Sequence, residues 1–139
     1  MADTQAHSRH DVDILEAIHT VIAHYPPLAA DRHHVRVSVV SGTAVLEGHV
    51  KTPITRQYLI EHVAAVPGVR GVQTKALYDD ETIRLELGPV LPEGVFANPA
   101  YGVVVLSGAL PGGVAEMDAV ERAAAVPGVV RVVTTFRAA

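Results

Sequence analysis

The six residues Ala64-Ala65-Val66-Pro67-Gly68-Val69 return, letter for letter, as Ala124-Ala125-Val126-Pro127-Gly128-Val129, at an offset of 60. The match extends upstream without a gap. Leu46-Glu47-Gly48 meets Leu106-Ser107-Gly108, Ser41-Gly42 meets Tyr101-Gly102, and Val35 meets Val95. Downstream, Val72 meets Val132 and Thr74 meets Thr134. One short match can arise by chance, but a run of matched positions at a single offset does not. The period is longer than that of common solenoid repeats, so it points to two copies of a small domain rather than an array.

Working outward from the repeat gives the elements of the first copy. Residues 1–10 are polar and read as a flexible N-terminus. From Asp11, read as an N-cap or first-turn acid, Leu15, Ile18, Ile22 and Tyr25 recur on one face, with Ile14 and Val21 beside them. That is an amphipathic helix, stopped by Pro26-Pro27. After a loop, Val35, Val37 and Val39 alternate with Arg36 and Ser38 as a half-buried strand, and Ser41-Gly42 is a hairpin turn. Ala44, Leu46, Gly48 and Val50 face one way on the next strand. Gly48 inside it marks a close backbone approach, expected beneath a helix. Thr52-Pro53 caps and starts a second helix whose buried stripe is Leu59, Ile60, Val63 and Val66. Pro67-Gly68 ends it and a third strand follows from Val69, giving the order α-β-β-α-β.

The second copy keeps the later elements. Val104, Leu106, Gly108 and Leu110 form a strand, Gly112-Gly113 stands at the helix start, and Ala119, Val120, Ala123 and Val126 repeat the stripe. Val129, Val132, Thr134 and Phe136 form the last strand. The opening helix has little room, with 15 residues from Asp79 to Glu93 against 24 from Asp11 to His34. Glu81 to Leu87 fits two helical turns or a short alternating strand. Pro99 stands where the first copy has Val39, which makes that strand short, irregular or at an edge. A lost helix would leave apolar surface bare. The other sheet face is also more apolar, with Val103, Val105 and Val133 standing where the first copy has Thr43, Val45 and Gln73. Val103, Val105 and Val133 are therefore candidate interface residues, covered by the first copy or by a second chain in a homodimer.

Composition narrows the function classes. Apolar residues make up 49% and charged residues 19%, which describes a globular chain, and the scarcity of aromatics leaves the core to Val, Ile, Leu and Ala. Without cysteine there are no disulfides, thiolate ligands or cysteine nucleophile. A net charge of -4 argues against general nucleic-acid binding, which needs clustered Lys and Arg. No apolar run approaches the roughly 20 residues of a transmembrane helix. The first residues lack the pattern of a secretory leader, so the expected location is cytoplasmic, or periplasmic if a leader has been removed.

The pattern Val37-x-Val39, Gly42-x-Ala44-x-Leu46-x-Gly48-x-Val50, Val66-Pro67-Gly68-Val69-x-x-Val72 resembles the BON domain family, named from bacterial osmotic-shock and nodulation proteins. The resemblance covers residues 11–78, with a degenerate second copy over 79–139 that matches only from the hairpin onward. It implies an α+β fold of two tandem α-β-β-α-β repeats, the second with a shortened or missing first helix. It also implies a non-catalytic binding role. Family members occur as tandem copies in envelope proteins, where they are regarded as phospholipid- or envelope-binding modules, and others are attached to cytoplasmic regulatory proteins. The family carries no catalytic motif, so no catalytic residue, cofactor or metal is transferred.

The residues offer several candidate sites of their own. Arg32, Arg36, Lys51 and Arg56 form a candidate basic patch for lipid phosphate or another anion, although Glu47 sits among the same elements. Asp79-Asp80-Glu81 with Glu86 and Glu93 reads as an acidic linker. It either starts a helix or holds a hard cation, so a cation- or small-ligand-sensing module using the linker or an inter-repeat cleft is the alternative function. Gly112-Gly113 is a simple turn or an anion-binding helix start, without the Lys-Ser/Thr end of a P-loop. All eight histidines (His7, His10, His19, His24, His33, His34, His49 and His62) precede residue 63, and none has the His-x-x-x-His spacing of a zinc site. Ser38 and Ser41 lie near His33 and His34 without a supporting acid, and no carboxylate pair is evident, so no enzyme is expected. The leading expectation is a non-enzymatic binding module for a protein or a phospholipid surface.

Overall fold

A computed structural model describes the backbone of residues 2–137 and the side chains of residues 10–137. The chain forms two compact units that divide between Leu77 and Tyr78.

In unit 1, helix α1 (Ala2–His24) is followed by a short helix α2 (Pro26–Asp31), a 3-10 turn at Arg32–His34, strands β1 (Val35–Val40) and β2 (Thr43–Val50), helix α3 (Pro53–Ala64) and strand β3 (Gly71–Asp79). The sheet order is β1-β2-β3. Helix α1 begins at Ala2 rather than Asp11, so the stretch read as a flexible N-terminus is helical from its second residue. Its buried face is Ile14, Ile18 and Ile22, spaced four apart, while Leu15 and Val21 are only half-buried. Pro26-Pro27 does stop α1, but it also opens α2, because proline's fixed φ and missing N–H suit the first helical turn. Leu28 of α2 is fully buried and completes a core with Leu46, Leu59, Val63 and Leu77. Helix α3 begins as its sequence indicates: Thr52 is the N-cap, its hydroxyl accepting the Thr55 N–H at 3.2 Å, and Pro53 follows.

Unit 2 repeats the plan with α4 (Asp80–Leu87), a 3-10 turn at Gly88–Val90, β4 (Val95–Ala100), β5 (Val103–Gly108), α5 (Glu116–Ala124) and β6 (Arg131–Thr134), in sheet order β4-β5-β6. Strands β4 and β5 are antiparallel and β5 and β6 parallel. Glu81 to Leu87 therefore forms two helical turns, and the opening helix is shortened rather than lost. Its Ile83 and Leu87 are buried against Val104, Leu106, Ala119 and Ala123. The core face expected to be bare is thus covered, because two turns suffice to place two large aliphatic side chains over a three-stranded sheet. Pro99 lies on β4, an edge strand, where its missing N–H costs no ladder bond to a further strand. The Gly112-Gly113 pair is a turn. Helix α5 starts three residues later at Glu116, with Ala115 at the N-cap position.

The register of the two hairpins follows the same offset of 60. Val35 opposes Gly48 and Val40 opposes Thr43; sixty residues on, Val95 opposes Gly108 and Ala100 opposes Val103. Gly48 and Gly108 have φ of +114° and +94°, and a Cβ on either would collide with a backbone carbonyl oxygen, that of His34 or of Gly94. The close approach expected at Gly48 is therefore to the turn leading into β1, not to an overlying helix. The same kink breaks the alternation of β2 and turns His49 inward, leaving it 9% exposed.

Candidate functional site

At one end of each unit the first helix, the hairpin turn and the Val-Pro-Gly-Val turn meet. The hairpin turns are tight two-residue loops with both residues at positive φ: Ser41 +51° and Gly42 +81°, Tyr101 +52° and Gly102 +81°. Such turns match the twist of the strands, but a non-glycine residue in the left-handed region is strained. A carboxylate from the first helix offsets that strain. Asp11 Oδ2 accepts the Ser41 N–H at 3.0 Å and Oδ1 the Gly42 N–H at 2.9 Å. In unit 2, Asp80 Oδ2 accepts the Tyr101 N–H at 2.7 Å and Oδ1 the Gly102 N–H at 3.0 Å. The hairpin is bound on its other side as well. Gly42 O accepts the Arg70 N–H and Gly102 O the Val130 N–H, each at 2.8 Å.

The sequence offset hid this correspondence. Asp11, Ile14 and Ile18 correspond to Asp80, Ile83 and Leu87 at an offset of 69, not 60, because unit 1 carries nine more residues between its helix and its hairpin. Asp11 is therefore not an N-cap but a clamp from within α1. The supposed acidic linker is the end of β3 and the start of α4. Asp79 caps α4 by accepting the Thr82 N–H at 2.8 Å, and Asp80 holds the hairpin, so neither carboxylate is a loose linker acid poised for a cation. Among the described residues no group of three or more His, Cys, Asp or Glu is gathered as a metal ion would need. The side chain of His7 lies outside the described residues; His10, His19, His24, His33, His34 and His62 are exposed and scattered over several elements.

The basic residues of the expected patch take part in local contacts. Arg36 lies on β1 and pairs with Glu47 across the strands at 3.2 Å. Arg56 donates from Nε to Leu77 O at 2.9 Å and from Nη2 to Thr74 O at 3.3 Å, which fastens α3 to β3. Arg32 donates to Ala29 O, closing the C-terminal end of α2. Lys51 is exposed just ahead of α3, and its backbone N–H donates to buried Asp31. Sequence reading also missed an aromatic stack in unit 1. Tyr25 and Tyr58 lie 3.6 Å apart and nearly parallel, and His62, one turn along α3, continues the stack at 3.7 Å.

Two surfaces stand out. The first is the open face of the unit 2 sheet. Val103 and Val105 are half-buried, Val133 is 37% exposed, and Phe96 on the neighbouring strand is 65% exposed. The equivalent face of unit 1 carries Arg36, Ser38, Glu47 and Gln73, with Val40 and Val45 as its apolar members. The second is in unit 1 beside the clamp, a groove of about 380 Å³ lined by His10, Asp13, Ile14, Ala17, Val66, Pro67 and Gly68. It shares His10, Ile14 and Gly68 with a smaller hollow of about 110 Å³ against Asp11 and Arg70. No helix among the described residues is long and apolar enough to cross a membrane.

No curated protein matches the chain. Among solved structures, the fold is similar to the C-terminal domain of CdsD, a structural protein of the type III secretion system of Chlamydia trachomatis. That match has a TM-score of 0.62 and 25% identity, and covers 90% of this chain and 65% of that one. The chain thus spans about two thirds of that relative's length. A second CdsD structure matches at a TM-score of 0.47 and 17% identity, over 89% of this chain and 91% of that one. A model of the BON domain matches residues 10–78, which run from the residue before the Asp11 clamp to the end region of β3. Residues 10–78 therefore form a BON domain.

Proposed function

We propose that the protein is a non-enzymatic assembly module in which unit 2 pairs with a second copy of the chain through its open sheet face. The observation that carries this reading is the contrast between two three-stranded sheets of the same strand order. One open face is mainly charged and polar, with Val40 and Val45 as its apolar members. The other presents Val103, Val105, Val133 and Phe96, with Arg131 as its charged member. A face this rich in exposed apolar side chains, with Asn98 and Ser107 as its neutral polar members, favours burial against a partner. Pairing like with like is self-complementary, as a twofold interface requires. The likeness to CdsD, a structural protein of a secretion system, supports assembly over catalysis. Anionic lipid is disfavoured, since Arg36 and Arg56 already have partners and the net charge is -4.

Light scattering after size exclusion tests the reading. A mass well above 14.7 kDa that rises with concentration is expected. Val133→Asp should return the chain to a monomer with its circular dichroism unchanged. A mass that stays at 14.7 kDa at high concentration refutes dimer formation. Co-sedimentation with phosphatidylglycerol vesicles at low salt would instead favour a lipid surface as the partner.

A further inference from the structure

The two units differ along the free edge of the first strand in each sheet. Strand β1 is an outer member of β1-β2-β3, as β4 is of β4-β5-β6. Each joins its neighbour through a two-residue turn. The pair flanking that turn, Val40 with Thr43 or Ala100 with Val103, exchanges both its bonds, and inward and outward groups alternate from there. Arg36, Ser38 and Val40 therefore bond to β2, while the N–H and C=O groups of Val35, Val37 and Val39 point away from the sheet. In unit 2 the outward residues are Val95, Ala97 and Pro99. The first outward N–H of each set is spent locally, Val35 on Arg32 O and Val95 on Pro92 O. Beyond it the edges part. Pro99 has no N–H, so a strand laid along β4 meets a gap in the ladder. Val39 stands at the matching place in β1 and keeps its N–H. Among the described residues no hydrogen bond closes the outward groups of Val37 and Val39. On the other outer strand, β3, the Thr74 and Leu77 carbonyls already accept Arg56. Proline is a common means of blunting an exposed edge. Here one of two equivalent edges is blunted and the other is left open.

We infer that the open edge of β1 pairs antiparallel with β1 of a second copy, so that two three-stranded sheets of unit 1 run on as one. This pairing rests on the unit 2 contact to bring copies together, because a few backbone bonds with little buried face do not offset the entropy of association. One register uses every free group. With Ser38 opposite the second copy's Ser38, Val37 pairs with the second copy's Val39 and Val39 with its Val37, and each pair exchanges two bonds. A shift of two residues one way sets Val39 against Val35, whose N–H is taken. The same shift the other way sets Val37 against Ser41, which is in the turn at positive φ. The side chains agree with that register. Arg36 lies opposite Val40 of the other copy, so like charges do not oppose, and its aliphatic stem lies beside a valine that is 65% exposed in the single chain. Ser38 faces its own copy in the closely spaced kind of pair, where two hydroxyls reach each other. Each unit then has its own twofold contact, and a copy held through unit 2 keeps a β1 edge for the next.

Sedimentation velocity of the full chain over a range of concentrations tests the pairing. At high concentration the natural sequence should form species heavier than two chains. Val39→Pro copies the residue that unit 2 already accepts at this place, and should stop assembly at two copies with the circular dichroism unchanged. By symmetry it deletes the Val39 N–H from both copies, which should weaken the edge contact at least about tenfold. Ser38→Glu, at an exposed position, sets two carboxylates against each other across the twofold axis and should have the same effect. If the natural sequence stops at two copies, or if either folded variant forms the heavier species as readily, the edge pairing is overturned and the unit 2 contact stands. A chain that stays single at every concentration defeats both. A Val133→Asp chain that still pairs, and loses that pairing when Val39→Pro is added, would uphold the edge and overturn the unit 2 contact.

Discussion

Replacing Asp80 by alanine should destabilise unit 2 more than replacing Asp11 destabilises unit 1, although the two carboxylates do the same work. Each accepts two backbone N–H groups in a hairpin turn. Hydrogen bonds to a charged group contribute roughly 1.5–3 kcal/mol, and a buried N–H left without an acceptor costs about 1–3 kcal/mol. The surroundings then separate the two. The bond from Ser41 is exposed, so water replaces the lost oxygen. The bond from Gly102 is buried and Asp80 itself is 7% exposed, so nothing replaces it. Ser41 at φ +51° and Tyr101 at φ +52° each lose the bond that held a strained conformation, so that cost is common to both and the difference comes from burial. Together these give about 2–4 kcal/mol for Asp80→Ala and about 1–2 kcal/mol for Asp11→Ala. Urea unfolding followed by the separate amide signals of Gly42 and Gly102 reads each unit by itself. A cost below about 1 kcal/mol for Asp80→Ala, or a larger cost for Asp11→Ala, would show that the clamp is not what holds the turn.

Other substitutions probe the backbone and the cores. Gly48→Ala and Gly108→Ala each drive a Cβ into a carbonyl oxygen at positive φ, and each should cost more than about 2 kcal/mol in thermal melts. Gly112→Ala meets no atom within 4 Å and should be neutral or stabilising by about 0.4–1 kcal/mol in the same melts. Thr52→Ala removes the α3 cap and should cost about 1 kcal/mol by urea titration. Leu46→Ala and Leu106→Ala remove equivalent, fully buried side chains. Both should fall in the range of about 2–5 kcal/mol, and a near-zero value at either site would break the equivalence of the two units.

Much of the fold was legible because the duplicated residues do backbone work. Leu46-x-Gly48 and Leu106-x-Gly108, the two hairpin turns and the two Val-Pro-Gly-Val turns each need a defined φ or a buried side chain, so the letters survive at one offset. The opening helices were less legible. Asp11 and Asp80 align only after a nine-residue shift, and a single acid carries no sign of which distant N–H it will meet. Helix α2 was hidden because a proline pair ends one helix and begins another with equal ease. The local contacts of the basic residues were hidden for a different reason. Spacing along the chain does not reveal that Arg56 will reach the carbonyls of β3 or that Arg36 will face Glu47. The unit 2 sheet face was legible, since alternation on a strand assigns its side before any coordinates are known.

The two interiors are built to one plan with unequal filling. Leu59 and Val63 of α3 have Ala119 and Ala123 as their counterparts in α5, all four fully buried, and unit 2 has no equivalent of α2 and its Leu28. Less aliphatic volume withdrawn from water means a smaller margin against the entropy of the open chain. Under heat or mechanical load the later half should therefore yield first, while the earlier half keeps its shape. The molecule would then behave as a fuse in series with a fixed link, and its weaker member is the half that carries the apolar sheet face.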